Sequence, residues 1–250
     1  MPSWRNPNLD IVLNDYRFFS QNQISEMDVY QFGVFRGDSV GEIIKILHKL
    51  EFYPKTFWGF DTFAGMPKET EEPIFQDSWD PDKEPDTFNP CSYEDFPFLT
   101  PTSTAVGLSM EFQRLVDELK GKIRIRKNPE EQPPYHRTEV KMIAGLVEDN
   151  LSDNIGHDLA PAFYLDLDLD IYSPTKHVLK YFMEKELIIP GTIIGYDDWG
   201  GTPDWETMKY GESRAHREIL EEYPNLEMKE LMQIGTAFPH VQKLFIVTKV

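Results

Sequence analysis

The stretch AFYLDLDLDIYSPTK, residues 162–176, followed at 191–201 by GTIIGYDDWGG, constrains this chain more than any other part of it. Asp166, Asp168 and Asp170 alternate with Leu165, Leu167 and Leu169, so an extended backbone sends the three acids to one side and the three leucines to the other. Ser173 and Pro174 then read as a helix N-cap followed by proline at the first helical position. A second strand, 192–196, is apolar and β-branched and ends in Asp197 and Asp198. Two neighbouring parallel strands of this kind would gather several carboxylates at the carboxyl edge of an open sheet, where α/β folds bind ligands.

Such a cluster needs compensation. Two like charges ~4 Å apart at an effective dielectric of ~20 repel by roughly 4 kcal/mol, a large amount for a marginally stable chain. A cation, a proton or basic partners must therefore be present. Asp168, Asp197 and Asp198 are the candidate metal ligands, and an all-oxygen set points to Mg²⁺ or a similar hard ion rather than zinc. Asp166, in mid-strand, suits a structural role with a hydrogen-bonded partner equally well.

With 250 residues the chain can form one large domain, taken as 1–250, or at most two small ones. The 43 acids outnumber the 25 bases and leave a formal charge of −18, which argues against nucleic acid or an anionic membrane as partner. A single cysteine, Cys91, excludes an internal disulfide and suits a reducing compartment. The N-terminus lacks a basic-then-apolar signal pattern, and no long apolar run occurs, so the expectation is a soluble cytoplasmic protein.

Along the chain, residues 8–23 carry Leu9, Val12, Leu13, Tyr16 and Phe19 at helical spacing. They predict an N-terminal helical segment within 1–27 that packs on the domain or on a second subunit of a homo-oligomer. A strand over 27–34 then runs into a glycine turn and a helix, for which Ser39 and Glu42 form a capping box. Gly33 and Gly37 allow a sharp turn and a close approach to a ligand at a helix start with free N–H groups. The strand TFWGFD, 56–61, ends in Asp61, where dinucleotide-binding folds place an acid on ribose hydroxyls.

Residues 66–107 hold seven of the 19 prolines and ten acids against two lysines, with Phe75, Trp79, Phe88, Tyr93, Phe96 and Phe98 spread among them. The acidity favours disorder and the aromatics favour docking, so this segment reads as a partly ordered lid over a binding site. Residues 108–120 read as a helix, and a proline-rich loop follows with His136, more a surface residue than a base. A strand at 140–145 ends in Gly145, and 146–155 is a short helical crossover to the acidic strand. Helices at 174–187 and 211–223 and an antiparallel pair at 228–235 and 241–250 complete the chain. The sum is a doubly wound, mostly parallel sheet of seven strands, with a reversed terminal strand and helices on both faces.

The ordered blocks QFGVFRGDS, WGFDTFAGMP, IAGLVEDNL, LDLDIYSPTK, PGTIIGYDDW and GESRA resemble the macrocin O-methyltransferase family, from about residue 28 to residue 215. That family comprises Rossmann-like enzymes that use S-adenosylmethionine and Mg²⁺ to methylate hydroxyl groups, often on sugars of natural products. The resemblance implies a small-molecule hydroxyl acceptor. It assigns Gly33, Gly37 and Ser39 to the methionine end of the cofactor, Asp61 to its ribose and Gly145 with its neighbours to the adenine, and Phe35, Arg36 and Phe63 count among the cofactor-binding residues. It assigns the metal to Asp168, Asp197 and Asp198; on chemical grounds a metal-adjacent aspartate, Asp168 or Asp197, or a base from the loops is the proton acceptor. The family carries glutamate where this chain has Gln31.

Two rival enzymes share D-x-D and a later acidic pair. A haloacid dehalogenase-type phosphatase would open its fold with the motif, and here the motif comes late, behind a turn and an Asp61 that this rival leaves unused. A D-x-D glycosyltransferase leaves the terminal strand pair and the turn at 33–39 unexplained. A mere binding module leaves the acidic cluster without a stabilising ligand.

Overall fold

The computed structural model describes residues 6–92, 101–124, 138–152 and 158–250. Tyr93, Phe96, Phe98, His136 and the last residues of the crossover at 146–155 lie outside these. Seven strands form one sheet: β1 (Asp28–Phe32), β2 (Thr56–Asp61), β3 (Glu139–Ala144), β4 (Ala162–Leu167), β5 (Ile193–Tyr196), β6 (Glu227–Ile234) and β7 (Gln242–Lys249). Their order is β3-β2-β1-β4-β5-β7-β6. The first five run parallel, and β7 enters antiparallel between β5 and β6. The terminal reversal expected from the sequence is therefore an inserted strand with β6 outside it.

The helices are α1 (Asn6–Asn14), α2 (Gln21–Ile24), α3 (Asp38–Lys49), α4 (Pro101–Arg124), α5 (Val147–Asn150), α6 (Tyr172–Glu184) and α7 (Gly211–Glu222). Parallel strands covered on both faces should be apolar throughout, and β1, β4 and β5 are buried at every position. One core cluster joins the sheet to Val178, Leu179 and Phe182 of α6 and Ala215 and Ile219 of α7. The other joins it to Leu9 and Leu13 of α1, Ile43 and Leu47 of α3, and Phe112 and Val116 of α4.

Three local expectations are corrected. The N-terminal helix does not run through 8–23: it stops at Asn14, and Ser20 starts α2 with its own capping box to Gln23. The break lets Tyr16 turn inward and donate its hydroxyl to Gly191 O at 2.7 Å. Ser39 and Glu42 form no capping box, because α3 begins at Asp38 with Gly37 as N-cap and the Ser39 hydroxyl instead accepts from Gln31 Nε2. Helix α6 begins at Tyr172, so Ser173 and Pro174 sit inside its first turn, and Ile171 takes the N-cap position with no side-chain bond.

Chain order places a topological switch between β1 and β4, where connections leave in opposite directions. Ladder bonds continue one residue past the strands there: Gly33 N to Phe60 O at 2.9 Å, Asp168 N to Phe32 O at 2.9 Å, Asp197 N to Leu167 O at 3.0 Å and Gly145 N to Asp61 O at 2.9 Å. Four of the sequence-predicted site residues are thus fixed along one sheet edge by backbone alone.

Candidate active site

A cavity of about 500 Å³ opens at this edge, within the size range of small-molecule sites. Gly33, Phe35, Arg36, Ser39, Asp61, Gly145, Asp168, Asp197 and Asp198 all line it. Gly37 and Phe63 do not: Gly37 is the left-handed N-cap of α3 packed at the Phe112 ring, and Phe63 is fully buried. Their positions support the wall from behind.

The first wall is the turn after β1, and Asp61 holds it. Asp61 Oδ2 accepts the amides of Val34 at 2.8 Å and Phe35 at 2.7 Å, and Oδ1 accepts that of Phe63 at 2.6 Å. Phe35 and Phe63 both have a φ of 50°, an uncommon region for an aromatic residue, and these bonds sustain it. Burial raises the Asp61 carboxyl above the ordinary aspartate range, the three amides oppose that, and the Asp168 charge adds to it. Asp61 therefore shapes the turn as well as facing the cavity. Gln31 is fully buried below the turn, donating to Gly33 O at 3.0 Å and to Ser39 Oγ.

Gly33 ties this wall to the acidic one. Its φ is +86°, and a Cβ there would lie 1.8 Å from the carbonyl oxygen of Asp168. The turn needs glycine because another backbone, rather than a ligand, crosses at that point.

The second wall is the acidic one. Strand β4 ends at Leu167, so the alternation expected through Asp170 stops. Asp166 is buried, and its carboxylate accepts the Tyr164 hydroxyl at 2.6 Å, a structural position. Asp170 turns back with φ 63°. One carboxylate oxygen each from Asp168, Asp197 and Asp198 lie within 4.8 Å of one another. Three oxygen ligands so close fit a hard divalent cation.

Several contributors carried no signal in the strand pattern. Glu212, at the start of α7, is fully buried and accepts Leu169 N at 3.2 Å and Asp198 N at 2.9 Å. Burial, then the charges of Asp198, Asp168 and Asp197, push its carboxyl well above the usual range. Asp170 is displaced the same way, by burial and then by Asp168, Glu212 and Asp197. Gln242, the first residue of β7, donates from Nε2 to Asp197, and His240 just before it lines the cavity.

The third wall comes from the acidic, proline-rich segment. Its described part, 66–92, is docked as a strap over the loops after β4 and β5, and residues 101–107 belong to α4 rather than to a lid. Glu69 accepts Ser173 N at 2.8 Å and its hydroxyl, and so caps the first turn of α6. Glu72 accepts Gly211 N at 2.8 Å and pairs with Arg214 at 3.1 Å, capping α7. Carboxylates at helix N-termini satisfy free amides and complement the helix dipole. Phe75 packs on Tyr210, Gln76 donates to Gly201 O at 3.1 Å, and the buried Trp79 donates to Asp170. Composition showed the acids, but their partners lie about a hundred residues or more away in sequence.

The sheet order, the inserted β7 and the helices on both faces define a Rossmann-like methyltransferase fold. The sequence matches no protein-family model and no curated protein. Among solved structures it is similar to the calicheamicin methyltransferase CalS11, at 19% identity and a TM-score of 0.55 over 97% of this chain and 80% of that one. An apo structure of CalS11, described as a TDP-rhamnose 3'-O-methyltransferase, matches at 17% identity and 0.52 over 97% of this chain and 80% of that one. The O-methyltransferase NovP matches at 15% and 0.55, over 98% of this chain and 79% of that one. Among the described residues, no helix is long and apolar enough to cross a membrane.

Proposed function

We propose that this chain is a metal-dependent O-methyltransferase that moves a methyl group from S-adenosylmethionine to a hydroxyl of a small molecule, a sugar or glycosylated metabolite. The observation that carries the reading is the convergence, in one cavity at the switch point, of the Asp61-held turn and the Asp168, Asp197 and Asp198 cluster. CalS11 and NovP are O-methyltransferases, and the activity given for CalS11 modifies a sugar hydroxyl, which supports the acceptor class.

In this reading Gly33, Phe35, Arg36, Ser39 and Asp61 hold the methionine and ribose portions of the cofactor, with Gly37 and Phe63 fixing their backbone, and Gly145 borders the adenine. Asp168, Asp197 and Asp198 would hold the ion. When bound, a divalent cation lowers the pKa of an acceptor hydroxyl, and the sulfonium cofactor supplies the methyl group and its leaving group. Asp168 or Asp197 accepts the hydroxyl proton. The two walls hold acceptor and cofactor side by side, which makes methyl transfer effectively unimolecular. The strap keeps water from that side of the cavity.

Calorimetry with S-adenosylmethionine, a UDP-sugar and phosphate separates this from the phosphatase and glycosyltransferase readings. Only the first should bind tightly. Transfer of labelled methyl to a panel of glycosylated hydroxyl acceptors, with Mg²⁺ and with EDTA, tests the rest; binding of phosphate or UDP-sugar in place of the cofactor would sink the proposal.

A further inference from the structure

Glu212 stands out among the groups that surround the acidic cluster. It is fully buried, yet no cation contacts it among the described hydrogen bonds and ion pairs. Its two carboxylate oxygens go to two different loops: Oε1 to the amide of Leu169, between Asp168 and Asp170, and Oε2 to the amide of Asp198. These loops follow β4 and β5 and carry all three candidate ligands. The side chain comes from a third element, α7, whose first amide is held by Glu72 of the strap.

We propose that Glu212 is the positioning residue of the cation site, a clamp that sets the separation of the Asp168 loop from the Asp198 loop. The proposal rests on the metal-dependent reading above. A carboxylate is suited to this position because both of its oxygens accept, so it can satisfy one backbone amide from each of the two loops. An amide side chain has one accepting oxygen and would set its NH₂ group against one of the backbone donors. Aspartate keeps the charge and both acceptors but is shorter by one methylene, so it cannot span the same two amides. Partners behind metal ligands commonly govern affinity because they fix the ligand oxygens before the ion arrives.

The test is Mn²⁺ binding, followed by electron paramagnetic resonance, in the parent and in Glu212→Gln and Glu212→Asp, with S-adenosylhomocysteine titration and circular dichroism as controls on the fold. The expected result is Mn²⁺ affinity weakened about tenfold to a hundredfold in both variants, with S-adenosylhomocysteine affinity retained. Parent-like Mn²⁺ affinity in Glu212→Gln overturns the proposal. Parent-like affinity in Glu212→Asp alone also overturns it, because charge rather than span would then be what matters. A parent that binds no Mn²⁺ defeats the metal reading itself, a separate outcome. Hydrogen exchange on the metal-free parent needs no variant: the Leu169 and Asp198 amides should exchange as slowly as those of β4, and rapid exchange at both refutes the clamp even where a variant does not fold.

Discussion

The indole N–H of Trp79 donates to the Asp170 carboxylate at 2.9 Å across 91 residues of sequence. This contact joins the strap to the acidic loop at a half-buried residue whose backbone is left-handed and whose carboxyl faces other acids. A neutral donor there compensates Asp170 without adding a competing cation to the cluster. Trp79→Phe deletes the donor and also the outer edge of the indole, whose Cη2 packs at Gly201. Urea unfolding should show a loss of about 1 to 3 kcal/mol, from a half-buried carboxylate left without its donor and from the ring contact given up. Limited proteolysis within the strap should also become faster; an unchanged cleavage pattern would mean that the contact does not hold the strap.

Asp61 supports three amides, so Asp61→Ala should do more than remove a ligand contact. Loss of a charged acceptor costs roughly 1.5 to 3 kcal/mol, equivalent to about tenfold to a hundredfold in cofactor affinity. Because Phe35 and Phe63 lose the bonds that sustain their positive φ, the thermal midpoint should fall as well. Asp61→Asn, with one accepting oxygen left, should fall between parent and alanine variant in S-adenosylhomocysteine calorimetry. Wild-type affinity in the alanine variant would remove Asp61 from the cofactor site.

Gly33→Ala places a Cβ against the Asp168 carbonyl at a backbone conformation that alanine disfavours. Overpacking and the left-handed φ together should cost about 2 to 5 kcal/mol. Because the clash pushes on Asp168, cofactor and Mn²⁺ affinity should decline together. A variant weakened in only one of the two would argue against a shared backbone contact.

Chelation should abolish methyl transfer while leaving cofactor binding largely intact, and added Mg²⁺ should restore it. Asp198→Asn keeps the shape and removes one charge, so more Mg²⁺ should be needed for turnover. A purely structural acid would instead lower thermal stability equally in EDTA and in Mg²⁺. Full activity of the parent after exhaustive EDTA treatment would end the metal mechanism.

Helices α6 and α7 are joined by Glu218, which accepts from Tyr172 at 2.7 Å, Lys176 at 2.8 Å and Arg214 Nε at 2.7 Å. Burial opposes ionisation, but these three bonds outweigh it and bring the carboxyl down to about 2. A depressed carboxyl stabilises the fold above its unfolded value and loses that contribution as pH falls through the folded one. The melting difference between parent and Glu218→Gln should therefore be largest near neutrality and close as pH falls from the ordinary glutamate range towards about 2. A difference independent of pH would assign the effect to packing.

Sequence periodicity was enough to place the strands, their alternation with helices and the candidate ligands Asp168, Asp197 and Asp198, because strand burial and the acids at strand ends are properties of near neighbours in the chain. The glycine turn and Asp61 were legible for the same reason, as features of a strand end. Helix starts were less so: Ser39 and Ser173 resemble N-caps locally, but the Ser39 hydroxyl accepts from Gln31 on the preceding strand and the Ser173 hydroxyl donates to Glu69, 104 residues away. Only the folded chain decided that Asp61 spends its oxygens on the turn, that Gly33 yields to the Asp168 backbone, and that Glu212 bridges the two acidic loops. A hydrogen bond between residues far apart leaves no periodic trace, since its partners are chosen by the packing of separate elements and not by the spacing along either one.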